Sequence, residues 1–314
     1  MCKKKCRWFQ VAILLLSLLF CGHVQGQKNA IQIQFDNDFI TDRYYTAGVY
    51  MSYFRAFDQK QNATEAPPLS NFLKLTYGLE LYTPAIYTQE SFEEKTQDRP
   101  FAAGRFVSIG YQRPVDPDKI KTYTLKVGAV GPQTKGQEIQ DWFHRLLGFY
   151  SEIIGWEDQI ANQWIVNYDY QRLKEWRLED NAAISAQTEF GVGLANNYFR
   201  QGINVRIGEF NSLANSTWTA PRRISKSGKF KKETFLKMGM ALEYVASNIF
   251  IEGSFINKKS VFTKEAKPLV FTGSFGVYVG KPKIDISFEC VYQSPVVDAA
   301  KSHFYLSFGL GKAF

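Results

Sequence analysis

The sequence predicts an all-β protein: a transmembrane antiparallel β-barrel of about twelve strands, with a short α-helix in an extracellular loop. Three observations support this prediction. Polar and apolar residues alternate in many runs of about ten residues, as in barrel walls. An export signal precedes these runs. Aromatic residues make up 16% of the chain, yet no later stretch has the roughly eighteen apolar residues of a membrane helix.

The first residues have the composition of a secretory signal peptide. Three lysines and an arginine between positions 3 and 7 precede an apolar run at 11–20, and Val24-Gln25-Gly26 offers a cleavage site. A lipoprotein signal through Cys21 is disfavoured, because Phe20 is bulky where a small residue is expected. We therefore expect removal of residues 1–26 and a single barrel domain at 27–314.

Removal of the signal changes the bulk properties. Of 314 residues, 288 remain, and the net charge falls from +8 to about +4. Three of the four cysteines leave with the signal, so Cys290 is alone. We therefore expect no internal disulfide, no thiolate metal cluster and no nucleic-acid partner.

Alternation with period two locates the strands. It is clear in Ile31–Asp36, Tyr123–Ala129 and Leu236–Tyr244. Thirteen segments fit a strand: 31–38, 46–57, 72–83, 101–112, 121–130, 160–172, 181–195, 199–209, 234–246, 249–257, 268–279, 281–293 and 303–314. Bacterial single-chain barrels have even strand numbers, so we expect twelve, with the wrong segment between 181 and 257. The polar, basic stretch 212–232 is predicted to be a loop.

A soluble β-sandwich would also show alternating strands. The chain, however, ends in an amphipathic segment, Phe304–Phe314, whose final Phe resembles the assembly signal of outer-membrane barrels. We therefore expect a cell outer membrane location, contact with its lipids, insertion by the barrel assembly machinery, and a monomer.

The predicted topology collects unusual polar residues on one side of the membrane. With a periplasmic N-terminus, the loops at 39–45, 85–100 and 133–159 are extracellular. The residues that fall on this side are Asn37, Asp38, Thr41, Asp42, Thr46, Asp98, Arg99, Gln140, His144 and Trp156. Loops carry function, but they are also simply solvated, so this clustering is weak evidence by itself.

Residues 136–148 are predicted to form a helix of about three turns that ends at Gly148. Gln140 and His144 are four residues apart and share a face. The apolar stripe is Ile139, Trp142, Phe143, Leu146 and Leu147. Two interpretations remain open: a lid that only plugs or anchors, with His144 as an ordinary polar residue, or a helix that presents His144 for catalysis.

The residues suggest one kind of chemistry. The other histidines are His23, in the signal, and His303, at the last strand, so His144 is the candidate base. No G-x-S-x-G elbow is present. Hard oxygen ligands that suit Ca²⁺ are Asp36, Asn37, Asp38, Asp42 and Asp98. These features predict an ester hydrolase in which His144 deprotonates water and Ca²⁺ polarises the ester carbonyl.

Several spaced motifs resemble a known family. They are Asp36-Asn37-Asp38, Asp42–Gly48, Tyr82-Thr83-Pro84, Asp98–Ala102, Val127–Pro132, Gly136–Arg145 and Trp156–Asn162. In this order they resemble the lipid A 3′-O-deacylases, the LpxR family. The resemblance covers about residues 31–165, whereas the C-terminal half is similar only as a barrel.

This resemblance implies Ca²⁺-dependent removal of the 3′-linked acyloxyacyl group from the lipid A of lipopolysaccharide. It implies that His144 activates water and that Gln140 lies beside it. Asn37 and Asp38 would bind metal or stabilise the oxyanion, and Thr46 would line the site.

Two positions depart from the family pattern. The family has a glutamate soon after the histidine, and Glu152, the nearest candidate metal ligand, lies about two residues further along. The family lysine after Tyr82-Thr83-Pro84 has Lys95 as its candidate, in a loop of different length. The alternatives are a non-catalytic, porin-like or structural barrel, and an outer-membrane phospholipase.

Overall fold

Twelve antiparallel strands form a closed barrel in which each strand pairs with its chain neighbours and β1 pairs with β12. The computed structural model describes residues 29–38, 43–58, 69–85, 88–148, 153–220, 232–256, 258–281 and 284–314. The predicted signal peptide, Thr41, Asp42 and Glu152 lie outside them. The strands are β1 (Asn29–Asn37), β2 (Tyr44–Asp58), β3 (Ser70–Thr83), β4 (Ala102–Asp116), β5 (Lys119–Val130), β6 (Gln163–Glu179), β7 (Ala182–Gly193), β8 (Asn196–Glu209), β9 (Glu233–Asn248), β10 (Leu269–Gly280), β11 (Ile284–Gln293) and β12 (His303–Ala313).

In the part of the chain that the structure describes, three α-helices lie between the strands: α1 (Gln89–Glu93), α2 (Gly136–Leu147) and α3 (Ile249–Glu252). All three lie at the end of the barrel where β1, β3 and β5 finish, called here the upper end. Within the described residues, no helix has the length and apolar content to cross a membrane.

The predicted strand at 249–257 is wrong, and it is the one superfluous strand. Its apolar residues Ile249, Phe250 and Ile251 look like a buried strand in sequence, but they form the single turn α3 instead. The Asn248 side chain accepts the Phe250 N–H at 2.9 Å and so starts the turn. The prediction of twelve strands is confirmed, and the error lies in the suspected region.

Alternation sorts the side chains of each strand between the outside and the lumen. Large apolar residues are exposed on the outer face, as a bilayer requires. Examples are Ile33 on β1, Leu75 on β3, Val107 and Ile109 on β4, Leu125 and Val127 on β5, and Leu242 on β9. In β1, β3, β4 and β5 the outward residues are the odd-numbered ones.

The lumen is polar and partly filled by ion pairs. Arg200 contacts Glu243 at 2.5 Å, and Lys237 contacts Glu289 at 2.5 Å. A cavity of about 590 Å³ remains, with Glu80, Arg200 and the tyrosines at 45, 50 and 82 among its lining residues. Opposite charges therefore satisfy each other inside the wall, which keeps the cost of burying them low.

Chain segments enter the lumen at both ends. At the upper end, Phe250 of α3 packs with Ala102, Val130 and Ile165, whose side chains point inward. At the lower end, the segment after β8 folds back into the barrel, where Leu213 is fully buried. The described part of the predicted 212–232 loop is indeed a loop, but its apolar residues form a plug.

A buried ion pair holds this lower plug. Arg206 donates to Glu175, with Nε–Oε2 at 2.8 Å, and to the Ser216 hydroxyl at 2.8 Å. Glu233 accepts from the Asn211 and Thr217 backbone N–H groups. The sequence had indicated polar clustering only at the opposite, loop-rich end.

Candidate active site

A β-bulge at the start of β2 positions Thr46. The register of β2 against β3 shifts between Tyr45 and Ala47, so Thr46 is an extra residue. A bulge re-aims its side chain, and the Thr46 hydroxyl here lies 2.6 Å from the hydroxyl of Thr83. Both threonines are buried. The Asp38 N–H donates to the Thr46 carbonyl at 3.1 Å, which joins the end of β1 to the bulge.

The last residues of β1 divide between the two faces of the wall. Asp36 points into the lumen, where it accepts from the Tyr45 hydroxyl at 2.8 Å. Asn37, the next residue, lies on the outward side. Asp38 is buried beside them, and its carboxylate interacts electrostatically with His303 at the start of β12. Of this acidic run, only Asn37 is therefore placed on the outer face by alternation.

Helix α2 begins where the chain turns sharply onto the outer wall. Pro132–Thr134 forms a 3-10 turn, and Lys135 adopts a left-handed conformation with φ 58°. At Gly136 an added Cβ would come within 2.3 Å of the Ala103 Cβ, so only glycine permits this approach. The helix ends as predicted at Gly148, whose φ of 86° forms the left-handed cap.

One face of α2 packs on the outside of the barrel. Ile139 contacts the outer-wall cluster, which consists of Leu79, Leu81, Phe101, Ala103, Ile153 and Trp156. The Phe143 ring lies 5.9 Å from the ring of Phe35, an outward residue of β1. The predicted apolar stripe is thus confirmed for these two residues, and it buries against the wall. The side chain of Leu147 lies outside the described part.

A buried hydrogen bond links Gln140 to Trp156. Gln140 Oε1 accepts from Trp156 Nε1 at 3.0 Å, and both side chains are almost fully buried. His144 follows one turn later on the same edge of α2 and is half-buried. The structure therefore holds this edge of the helix in one orientation relative to the wall.

Two sets of predicted residues meet on the outer wall. Asn37 and Thr46 belong to the strand ends, and Gln140 and His144 belong to α2. Ala47, next to Thr46, packs against the same outer-wall cluster as Ile139, next to Gln140. Phe35, in contact with Phe143, is two residues before Asn37 on the same face. The fold thus brings residues that are far apart in the chain to the same part of the outer wall.

Asp98 and Arg99 lie at the same end of the barrel as predicted, but they do not belong to this outer-wall group. Asp98 accepts from the Tyr44 hydroxyl at 2.8 Å and from the Ala85 N–H at 2.9 Å. Arg99 donates to the Phe250 carbonyl at 3.3 Å, and its guanidinium lies 4.7 Å from the Tyr82 ring. Burial lowers the pKa of Arg99 to about 10, and the nearby Tyr82, Asp98 and Tyr44 oppose this shift. The guanidinium therefore remains charged at neutral pH. Asp98 and Arg99 thus link β2, the segment after β3 and α3 at the upper end of the barrel.

The oxygen ligands proposed for Ca²⁺ are divided accordingly. Asp36 faces the lumen, Asp98 lies at the mouth and Asp38 lies near His303, so alternation places only Asn37 at the outer-wall site. Among the described residues, no group of three or more His, Cys, Asp or Glu side chains could hold a metal. The amide oxygen of Asn37, the carboxylate of Asp38 and nearby carbonyls are nonetheless hard donors of the kind Ca²⁺ takes.

Two residues add to the site. Thr83 was noted in the sequence only as part of a motif, and its contact with Thr46 depends on the bulge, which period-two alternation cannot reveal. Lys95 forms an ion pair with Asp158 at 3.6 Å, two residues after Trp156. The loop that carries Lys95 is therefore tied to the segment that fixes Gln140.

These features define the class of protein: an outer-membrane β-barrel with a partly filled lumen, whose polar candidate site lies outside the wall under a loop helix. The family described as "Outer membrane protein LpxR" matches residues 9–314. The chain belongs to the LpxR family, and the predicted resemblance is confirmed. It now extends through the C-terminal half.

The chain is similar to several solved structures. LpxR from Salmonella typhimurium is similar with a TM-score of 0.71 and 18% sequence identity, over 91% of this chain and 100% of that chain. The β domain of the Bordetella autotransporter BrkA has a TM-score of 0.45 and 11% sequence identity, over 92% of this chain and 100% of that chain. The NanC porin has a TM-score of 0.39 and 7% sequence identity, over 90% of this chain and 98% of that chain. Comparison with curated proteins gave no match.

Proposed function

We propose that this protein is a Ca²⁺-dependent esterase that removes the 3′-linked acyloxyacyl chain from lipid A. Membership of the LpxR family supports an outer-membrane lipid A deacylase. The observation that carries the finer proposal is the fixed Gln140–His144 edge of α2 beside Asn37 and Thr46, on the lipid-facing side of the wall. A lipid ester can reach such a site from within the leaflet.

His144 is the proton carrier of the proposed reaction. Its imidazole takes a proton from water while the water oxygen attacks the ester carbonyl carbon. The tetrahedral intermediate then loses the sugar oxygen, which takes the proton back from His144. The products are a free fatty acid and a lipid A hydroxyl. Gln140, held by Trp156, orients the helix edge that carries the base.

The polar strand ends would stabilise the negative charge that develops on the carbonyl oxygen. The Asn37 amide and the Thr46 hydroxyl are buried donors at the right end of the wall. Ca²⁺ bound by Asn37 and Asp38 would supply Lewis-acid polarisation of the carbonyl. Glu152 remains a proposed third ligand.

The chain segments inside the lumen argue against the porin-like alternative. Phe250 at the upper end and Leu213 at the lower end pack against inward-facing residues of the wall. A phospholipase would use the same chemistry, so the substrate must be distinguished by experiment. The upper end, with its loops, is proposed to face the cell exterior, where lipid A is found.

The test is His144→Ala, with Glu138→Ala as the matched control on the exposed side of the same helix. Purified proteins are incubated with lipid A and with phospholipid in the presence of Ca²⁺ or a chelator, and products are identified by mass spectrometry. We expect loss of the 3′ chain with wild type and control only, and only with Ca²⁺. An active His144→Ala protein would remove the histidine from the mechanism, and cleavage of phospholipid alone would identify the other esterase.

A further inference from the structure

Helix α2 has a second edge, which the candidate site does not use. Trp142 and Leu146 are four residues apart and therefore stack on one edge. Their side chains are 59% and 64% exposed, more than most of the apolar residues on the barrel wall. The buried face with Ile139 and Phe143 separates this edge from the edge that carries Gln140 and His144.

The helix crosses the strands instead of running along them. Gly136 touches Ala103 of β4, and Phe143 touches Phe35 of β1. Three strand spacings amount to about 14 Å, and the rise from Gly136 to Phe143 is about 10 Å. A helix placed in this way has one edge towards the strand ends and the other towards the middle of the wall.

The chemistry of the faces fits this placement. Glu138 and Arg145 lie on the face opposite the wall and are exposed, as expected among lipid headgroups. The Trp142–Leu146 edge is apolar, as is the exposed wall further down β4, for example at Val107. An amphipathic helix of this kind lies at the boundary between headgroups and acyl chains.

We propose that Trp142 and Leu146 are positioning residues that insert among the acyl chains of the outer leaflet and set the depth of His144. A helix with its side chains is about 10 Å across, so the catalytic edge would lie that much closer to the headgroups. Lipid A esters lie between the sugar and the acyl chains. Insertion of the Trp142–Leu146 edge would therefore place the His144 imidazole at the same depth in the leaflet as the lipid A ester bond. This inference rests on the proposed function only for its catalytic consequence.

The first experiment measures location and needs no activity. Full-length protein is reconstituted into vesicles whose lipids carry bromine on the upper acyl chain, and Trp142→Phe is compared with wild type. The difference in fluorescence reports Trp142 alone, because the other tryptophans are common to both proteins. We expect this component to be quenched by brominated lipid and not by aqueous iodide. Quenching by iodide alone would overturn the insertion.

The second experiment measures consequence. Trp142→Gln/Leu146→Gln is compared with the conservative Trp142→Phe/Leu146→Met variant. The matched control is Met238→Gln/Leu242→Gln, an exposed apolar pair on β9, far around the barrel. Deacylation of lipid A in bilayers should fall about tenfold only in the first variant. In detergent micelles, which impose no leaflet depth, all should match wild type.

The outcomes separate the two proposals. An equal loss in micelles, or an equal loss in the β9 control, would overturn the positioning role. Full activity of the glutamine variant in bilayers would overturn it as well. If wild type removes no acyl chain, the proposed function fails, whereas the fluorescence result still decides whether the edge is inserted.

Discussion

The close approach of Gly136 to the wall gives the sharpest prediction about α2. In Gly136→Ala, the new Cβ would lie 2.3 Å from the Ala103 Cβ and 2.9 Å from Trp156 Cη2. Ordinary contacts between carbon atoms are about 3.5–4.0 Å. The helix must therefore move away from the wall by more than about 1 Å, because the Ala103 Cβ is fixed to a strand backbone.

A displacement of this size should reach the candidate site, because Gln140 and His144 follow within two turns. Misplacement of a catalytic group by about 1 Å can cost about a hundredfold in rate. We expect a loss of this order in lipid A deacylation, followed by mass spectrometry. Assembly of the barrel should be normal, as judged by the heat-dependent mobility of folded protein in gels.

The same contact provides a rescue. Ala103→Gly removes the opposing carbon, so Gly136→Ala/Ala103→Gly should recover much of the activity, and Ala103→Gly alone serves as the control. The Trp156 ring still requires a small adjustment, so recovery should be incomplete. Full activity of Gly136→Ala, or a double variant as inactive as the single one, would refute the reasoning.

Three further predictions follow from other parts of the structure. Asp38→Ala should raise the Ca²⁺ concentration needed for half-maximal deacylation without a folding defect, and an unaltered requirement would argue against a ligand role. Arg206→Met leaves the buried Glu175 carboxylate without its guanidinium, so the unfolding free energy in urea should fall by about 3–5 kcal/mol; an unchanged midpoint would contradict this. Protein in planar bilayers should carry no steady ion current, because chain segments enter the lumen at both ends, and an open-channel conductance would contradict this expectation.

Period-two patterning was sufficient to predict most of the wall. Strands such as β9 and β11 alternate so regularly that their lipid and lumen faces can be read directly. The pattern failed at Ile249-Phe250-Ile251, a continuous apolar run. Such a run indicates burial, but it does not distinguish a strand from a helical turn in the mouth of the barrel.

The candidate site was predictable as a group of residues but not as a geometry. Topology placed Asn37, Asp98 and His144 at the same end of the barrel. It could not show that Asn37 faces outward while Asp98 bonds to Tyr44 and Ala85 at the upper end. Loop residues do not alternate between two faces as strand residues do. The bulge at Thr46 depends on pairing with β3, which is a tertiary property. His144 could therefore be nominated from sequence, but the surface that it faces could not.

The four strands that α2 crosses are β1, β2, β3 and β4, and the helix itself follows β5. The candidate site is therefore contained in β1 to β5 and the segments up to the start of β6. The later strands complete the barrel, and the segments after β8 and β9 enter its lumen. This division suggests that the barrel is modular. A chimera that keeps residues 29–162 and the α3 turn, joined to the remaining wall of a relative, should retain the site intact.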